Sequence, residues 1–244
     1  MIEIGGDVAS LRVDHVRAFD PRGWSILHVF EGAKKCTGAL IEDNDLGPAG
    51  SGDGQWADGI SFACRNGIVR RNVVTDASDS AIVIFGAPGT VVENNRIVTK
   101  KNTLLGGINL VDYGPFDGDY TGTIVRHNRI EARGGYIKVG IAAGPDVWGD
   151  HRARINRGAA ISDNQLIGQH FGSGIAVQGV QDFTVVRNTA SGHFEGRKAA
   201  GCHTITSEPH AAFLIGRKFS TGRFQPDFRE AELEYSICMV EPTH

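Results

Sequence analysis

Two carboxylates open similar segments of this chain, Asp58 in DGIS (58–61) and Asp79 in SDSAIVI (78–84). Two carboxyl groups held close together divide their protonation: one keeps its proton near neutral pH while the other ionises, the division that acid/base work on a glycosidic bond requires. Ahead of them stand Asp53 and Trp56. Beyond them come Asp112, Tyr113, Asp117 and Asp119 in DYGPFDGDYTG (112–122), then Lys138, then Asp146, Trp148, His151 and Arg152 in GPDVWGDHRARINRG (144–158). Carboxylates flanked by aromatics suit a carbohydrate groove, where sugar rings pack on indole faces and carboxylates accept hydroxyl hydrogen bonds. On this reading Asp58, Asp79 and Lys138 are the candidate catalytic groups. Trp56, Asp112, Tyr113, Trp148, His151 and Arg152 are the candidate substrate contacts. Asp and Gly also dominate ordinary turns, so each Asp has a purely structural reading beside the chemical one.

The elements that must position these residues are visible as an internal repeat. The pattern apolar, two variable residues, Asn, one variable residue, apolar occurs as IEDNDL (41–46), VRRNVV (69–74), VENNRI (92–97), VRHNRI (125–130), ISDNQL (161–166) and VVRNTA (185–190). VDHVRA (13–18) is a further copy with Val16 in the Asn position. The spacing of 23 to 36 residues is too irregular for a helical repeat, but a β-solenoid absorbs insertions in its turns. Out of phase runs a second repeat, WSILHV (24–29), DGISFA (58–63), SAIVIF (80–85), GGINLV (106–111), VGIAAG (139–144) and SGIAVQ (173–178), anchored by Ile26, Ile60, Ile82, Ile108, Ile141 and Ile175. Two short strand segments per repeat with no helical pattern between them predict an all-β, single-stranded right-handed parallel β-helix of about seven to eight coils. Rossmann and TIM-barrel folds fail for lack of helices.

Stacked coils give the asparagines at 44, 72, 95, 128, 164 and 188 a structural role. Each side chain is expected to bond to those above and below while tolerating left-handed backbone angles at a bend. The long insertions, 47–57, 112–122, 144–158 and 190–210, all enter or leave the second strand type, which makes that strand face the expected groove. Segments 112–122 and 144–158 should lie side by side along it. His28 is expected to point inward, in the position of Phe62 and Ile84. One domain spans 1–244, with coils over 1–216 and a capping tail over 217–244, in which Leu233, Tyr235, Ile237 and Met239 alternate as in a strand.

Composition narrows the partners. Gly is 33 of 244 residues without a collagen period, as in a chain that turns often. A net charge of −3 provides no field for nucleic acid, and no apolar run is long enough for a membrane span. The first fifteen residues lack the basic and apolar regions of a signal peptide. Cys36, Cys64, Cys202 and Cys238 are widely spaced, leaving disulfides and free thiols both open. His193, Cys202, His203 and His210 match no standard zinc spacing and read as a polar loop.

The Asn column and the D-G-I and D-S-A-I openings resemble the pectin-lyase-like superfamily of right-handed β-helices, over roughly residues 10–216. Within it, DGIS and SDSAIVI are similar to the N-T-D-G and Q-D-D motifs of the polygalacturonase family, which implies that Asp58 and Asp79 belong to a catalytic cluster. That family's acid protonates the leaving oxygen and its other carboxylates activate a water, with inversion. This chain departs from the pattern: Ser80 stands where the pair has its second Asp, Leu105-Gly106-Gly107 replaces Gly-His-Gly, and Tyr136-Ile137-Lys138 loosely echoes Arg-Ile-Lys. A pectate-lyase reading implies calcium, held by oxygens from Asp112, Asp117 and Asp119, with Lys138 or Arg152 as base. The resemblance implies an extracellular protein acting on a polysaccharide or oligosaccharide, as hydrolase or lyase. The alternatives on the same scaffold are a non-catalytic carbohydrate-binding or surface protein and an epimerase or isomerase.

Overall fold

A computed structural model describes residues 1–51, 54–149, 153–198, 211–233 and 235–241. The chain winds as a parallel β-helix in which each full coil contributes to three strand columns, not two. The first column stacks Arg12–Asp14, Leu40–Glu42, Ile68–Arg70, Val91–Glu93, Ile124–Arg126, Ala160–Ser162 and Val180–Val186. The second, just after each asparagine, stacks Arg17–Ala18, Asp45–Leu46, Val73–Thr75, Arg96–Thr99 and Arg129–Ala132. The third stacks Ser25–Phe30, Asp58–Phe62, Ser80–Ile84, Thr103–Leu110 and Tyr136–Ala143. Gln165–Val177 is one long strand that serves both the second and third columns. The expected Asn repeat thus straddles a corner between two strands, which is why it read as one.

The asparagines form a single hydrogen-bonded column. Each accepts, at its Oδ1, both the backbone N–H and the side-chain Nδ2 of the preceding asparagine, at 2.8–3.1 Å from Asn44 through Asn188. The Nδ2 groups also donate across the corner to first-column carbonyls, such as Val69 from Asn95 and Val92 from Asn128. Gln225 Oε1 ends the ladder by accepting the Asn188 N–H at 2.9 Å. The left-handed residue is not the asparagine but its predecessor: His15, Asp43, Arg71, Asn94, His127, Asp163 and Arg187 have φ of 54–58°. The corner needs one residue in that conformation, and placing it beside the ladder leaves the buried amide free to bridge coils. Arginine tolerates the position poorly, and both arginines there are held by an aspartate one coil away, Arg71 on Asp43 and Arg187 on Asp163.

All three columns supply the core, and the third gives it an unbroken aliphatic ladder. Leu27 pairs with Ile60, Ile60 with Ile82, Ile82 with Ile108, Ile108 with Ile141 and Ile141 with Ile175. The first coil's anchor is therefore Leu27 and not Ile26. That shift of one residue moves His28 as well: it pairs with Ser61, while Val29 takes the place beside the core residue Phe62. His28 lies on the outer face, against Trp24 at 4.6 Å between ring centroids, because a one-residue slip exchanges the two faces of a strand.

Cys36 and Cys64, one coil apart with Cα atoms at 4.8 Å, form a buried disulfide that ties adjacent turns. Residues 217–230 continue the solenoid instead of capping it: Ser220–Phe224 pairs with Val180–Val186, and Arg229–Glu230 with Phe213–Ile215. The stretch after them is not an alternating strand. Ser236–Met239 is a short helix, and Leu233 ahead of it and Ile237 within it pack in one cluster with Val139, Ala142, Ala176 and Leu214. No described helix is long and apolar enough to cross a membrane.

On the outside of the second column, Glu131 is almost wholly buried beneath Arg96, Arg129 and Arg133. Burial alone would raise its pKa, but hydrogen bonds from the three guanidinium groups lower it to about 2. A lowered carboxylate pKa contributes stability that is present above the ordinary glutamate range and lost as pH falls towards 2. Glu131→Gln should therefore cost about 1–2 kcal/mol at neutral pH, between the values for exposed and buried ion pairs. Denaturant unfolding should show wild type and variant converging as pH approaches 2.

Candidate functional site

The site is built on the outer face of the third column. Two consecutive inward residues, such as Ala81 and Ile82, let positions three apart share the outer side, and Asp58 with Ser61 is such a pair. Ser25 lies beside Asp58, Ser80 beside Gly106, and His28 beside Ser61 in register. The same register sets Ser80, not Asp79, over Asp58. The Ser80 N–H donates to Asp58 Oδ1 at 2.8 Å.

Asp58 is 5% exposed and its pKa is raised well above the carboxylate range, first by burial and then by the negative charge of Asp79, with a smaller push from Asp112. Hydrogen bonds from Ser61 and the Ser80 N–H pull the pKa down, by less than burial and charge raise it, and the proton count along the chain of contacts fits a neutral carboxyl. Asp58 Oδ2 lies 2.7 Å from Ser61 Oγ, Ser61 Oγ 2.9 Å from Ser25 Oγ, and Ser25 Oγ 3.0 Å from the Leu27 carbonyl. Three contacts in series need three protons. Two hydroxyls supply two, and the carboxyl proton of Asp58 supplies the third, donated to Ser61, which donates to Ser25, which donates to Leu27. An ionised Asp58 would leave one of the oxygen pairs with no proton between them.

A folded state that binds this proton more tightly than the unfolded state loses stability as pH rises above the ordinary aspartate range. Asn is a neutral donor of nearly the same shape. Asp58→Asn should therefore melt higher than wild type at neutral pH, and the difference should vanish near pH 4. Melting curves across that range check the assignment.

Asp79 is half-buried beside this chain, its backbone pinned from both sides. Its N–H donates to the Ala57 carbonyl and its own carbonyl accepts the N–H groups of Leu105 and Gly106. Asp112 follows the strand of the next coil, and the buried Tyr120 hydroxyl, donating to the Ile84 carbonyl at 2.6 Å, also contacts the Asp112 carbonyl at 3.1 Å. Between them, fully buried Asn109 donates from Nδ2 to Ser80 Oγ at 2.6 Å, while its Oδ1 has no partner among the described residues. A Cβ on Gly106 would lie 2.1 Å from that oxygen, so the glycine makes room for the amide. Ser25, Ser61 and Asn109 escaped the sequence reading. The signal was the three-residue spacing from Asp58 to Ser61 and from Gly106 to Asn109.

The same face turns apolar further along the axis. Val139, Ala142, Ala176 and Leu214 continue it, covered by Val147, Trp148, Leu233 and Ile237. Two sequence candidates fall in that covered half. Lys138 Nζ donates to the Ile237 carbonyl at 3.0 Å, and Trp148 packs on the apolar cluster instead of facing the carboxylates. Both are occupied by the chain's own C-terminal segment, whose helical turn the alternating sequence pattern did not reveal.

The loops do run side by side: Tyr120 N–H donates to the Arg157 carbonyl and Arg157 N–H to the Gly118 carbonyl, both at 2.8 Å. Tyr113 carries the Arg154 guanidinium 5.1 Å above its ring. Asp117 holds Lys34 at 3.1 Å, and Asp119 accepts the Thr121 N–H at 2.9 Å. Among the described residues no three His, Cys, Asp or Glu side chains converge as metal ligands. His193 pairs with Glu195 at 2.9 Å. Asp53, His151, Arg152, Cys202, His203 and His210 lie outside the described residues. Trp56 is 38% exposed at the N-terminal mouth of the face.

No protein-family model, curated protein or solved structure matches this chain.

Proposed function

We propose that the protein acts on a polysaccharide, as a hydrolase or lyase, at the polar stretch of the third column, with Asp79 as the ionised carboxylate that meets the glycan. The observation that carries this is the split between two neighbouring carboxyl groups: a buried, hydrogen-bonded Asp58 that keeps its proton, and a half-buried Asp79 whose charge helps keep it there. Paired titratable groups with opposed environments mark acid/base sites. A neutral Asp58 places no second charge beside Asp79, which leaves Asp79 as the carboxylate offered as base. In hydrolysis it takes a proton from the water whose oxygen bonds to the anomeric carbon as the glycosidic C–O bond breaks; in elimination it takes a proton from carbon as the C–O bond to the leaving oxygen breaks and a C=C bond forms; in both, the leaving oxygen takes its proton from solvent. Asp112 stands at the far edge of the same stretch. Asp58, buried and engaged on both oxygens, is a positioning residue. The Cys36–Cys64 disulfide supports an oxidising, extracellular location, where such substrates occur.

A second reading is a glycan-binding protein without catalysis, favoured by the complete hydrogen-bond chain around Asp58 and by the apolar cover that shortens the groove. Incubation with a panel of pectic and neutral polysaccharides separates the two. New reducing ends indicate hydrolysis and unsaturated, ultraviolet-absorbing products indicate elimination. Binding without either product supports the second reading and overturns the first.

A further inference from the structure

We infer that a cleft beside the carboxylates, between the indoles of Trp24 and Trp56, is a subsite for a neutral hexose ring of the glycan. The inference rests on the carbohydrate reading above and adds the place and charge of one sugar. The cleft has a volume of 690 Å³, within the roughly 300–1,000 Å³ typical of small-ligand sites. Trp24 and Trp56 are 45% and 38% exposed, a large apolar area to leave in water on two neighbouring coils.

Both rings stand on fixed supports. Trp24 leans on His28, and its carbonyl accepts the Asp58 N–H at 2.8 Å. The loop bearing Trp56 is tied by Ser51 N–H to the Gln55 carbonyl at 3.0 Å, and by Ala57 N–H to Ser78 Oγ at 3.0 Å. Ala57 lines the cleft and Asp58 follows it, so a sugar held here leads directly onto the carboxylate stretch.

The polar lining selects the charge. Asp20, Arg22 and Gln55 face the cleft, contributing one negative, one positive and one neutral group. Among the described lining residues the charges cancel, so these set up no field for an anionic sugar, while carboxylate, guanidinium and amide together offer acceptors and donors to ring hydroxyls. Indole faces supply the apolar contact that a pyranose C–H face needs.

Isothermal titration of the full chain with a galactose hexamer, a glucose hexamer and a galacturonate hexamer tests this, using wild type, Trp24→Ala and Trp56→Ala. At least one neutral hexamer should bind ten-fold or more tighter than the uronate, with little dependence on salt. Either tryptophan change should weaken that binding at least ten-fold. Trp56 has no ring partner among the described residues, so Trp56→Ala keeps the test valid if removing Trp24 disturbs His28 and folding. Unchanged affinity in Trp56→Ala, tighter uronate binding, or no hexamer binding at all would each overturn the subsite. Cleavage of a polysaccharide by wild type with tryptophan-independent affinity removes the subsite alone. Tryptophan-dependent binding by a wild type that cleaves nothing removes the catalytic reading alone.

Discussion

Replacing Asp79 with Asn is expected to lower polysaccharide turnover by about 10²–10⁴-fold, the usual worth of a positioned general base, and to leave the melting temperature within about 2 °C of wild type. The substitution keeps the side-chain shape, and the backbone at this position is held by bonds from Ala57, Leu105 and Gly106 that do not involve the carboxylate. Removing the charge should also relax its push on Asp58, lowering that group's pKa while burial keeps it raised. Rate and melting temperature must be measured on the same preparations. If Asp79 only organises a turn, the pattern reverses: roughly 0.5–2 kcal/mol of stability is lost and turnover persists.

Asn128→Ala is expected to be the most destabilising of these changes, by about 3–5 kcal/mol, or a melting temperature lower by roughly 6–20 °C for a chain of this size. Asn128 accepts the N–H and the side-chain amide of Asn95, and donates to the Val92 carbonyl and to Asn164 Oδ1, all at 2.9–3.0 Å and all buried. Alanine strands these groups inside a dry corner, where each unmet donor or acceptor carries its full desolvation penalty. The exposed Asn94 one coil earlier is the control. It occupies the left-handed corner position, so Asn94→Gly should shift stability by no more than about 0.5 kcal/mol. Equal effects at the two positions, read by denaturant unfolding, would show that the ladder is not what makes the column rigid.

The parallel β-helix was legible because its cause is periodic. A stacked coil must repeat its corner residue, and the ladder admits a side chain that both donates and accepts across one strand spacing, which selects Asn at 44, 72, 95, 128, 164 and 188. The register of the two aspartates was legible only to within one residue, since Asp58 stands two and Asp79 three residues before isoleucines that share one column. What failed was local register. His28 was misplaced by one residue because the first coil's anchor is Leu27, and a slip too small to see in a pattern of apolar residues exchanges core for surface.

The number of strand columns was misread because a strand of two or three residues leaves almost no alternation to detect. Lys138 and Trp148 meet Ile237 and the apolar cluster around Leu233, a contact between segments nearly a hundred residues apart that no local pattern announces. The burial of Asp58 is of this kind too. The sequence by itself determined the solenoid, its corners and the column on which the carboxylates sit, because those depend on spacing along the chain. Only the tertiary structure decided which carboxyl is buried, which half of the face is covered and which indoles remain exposed, because burial depends on what each residue meets in space.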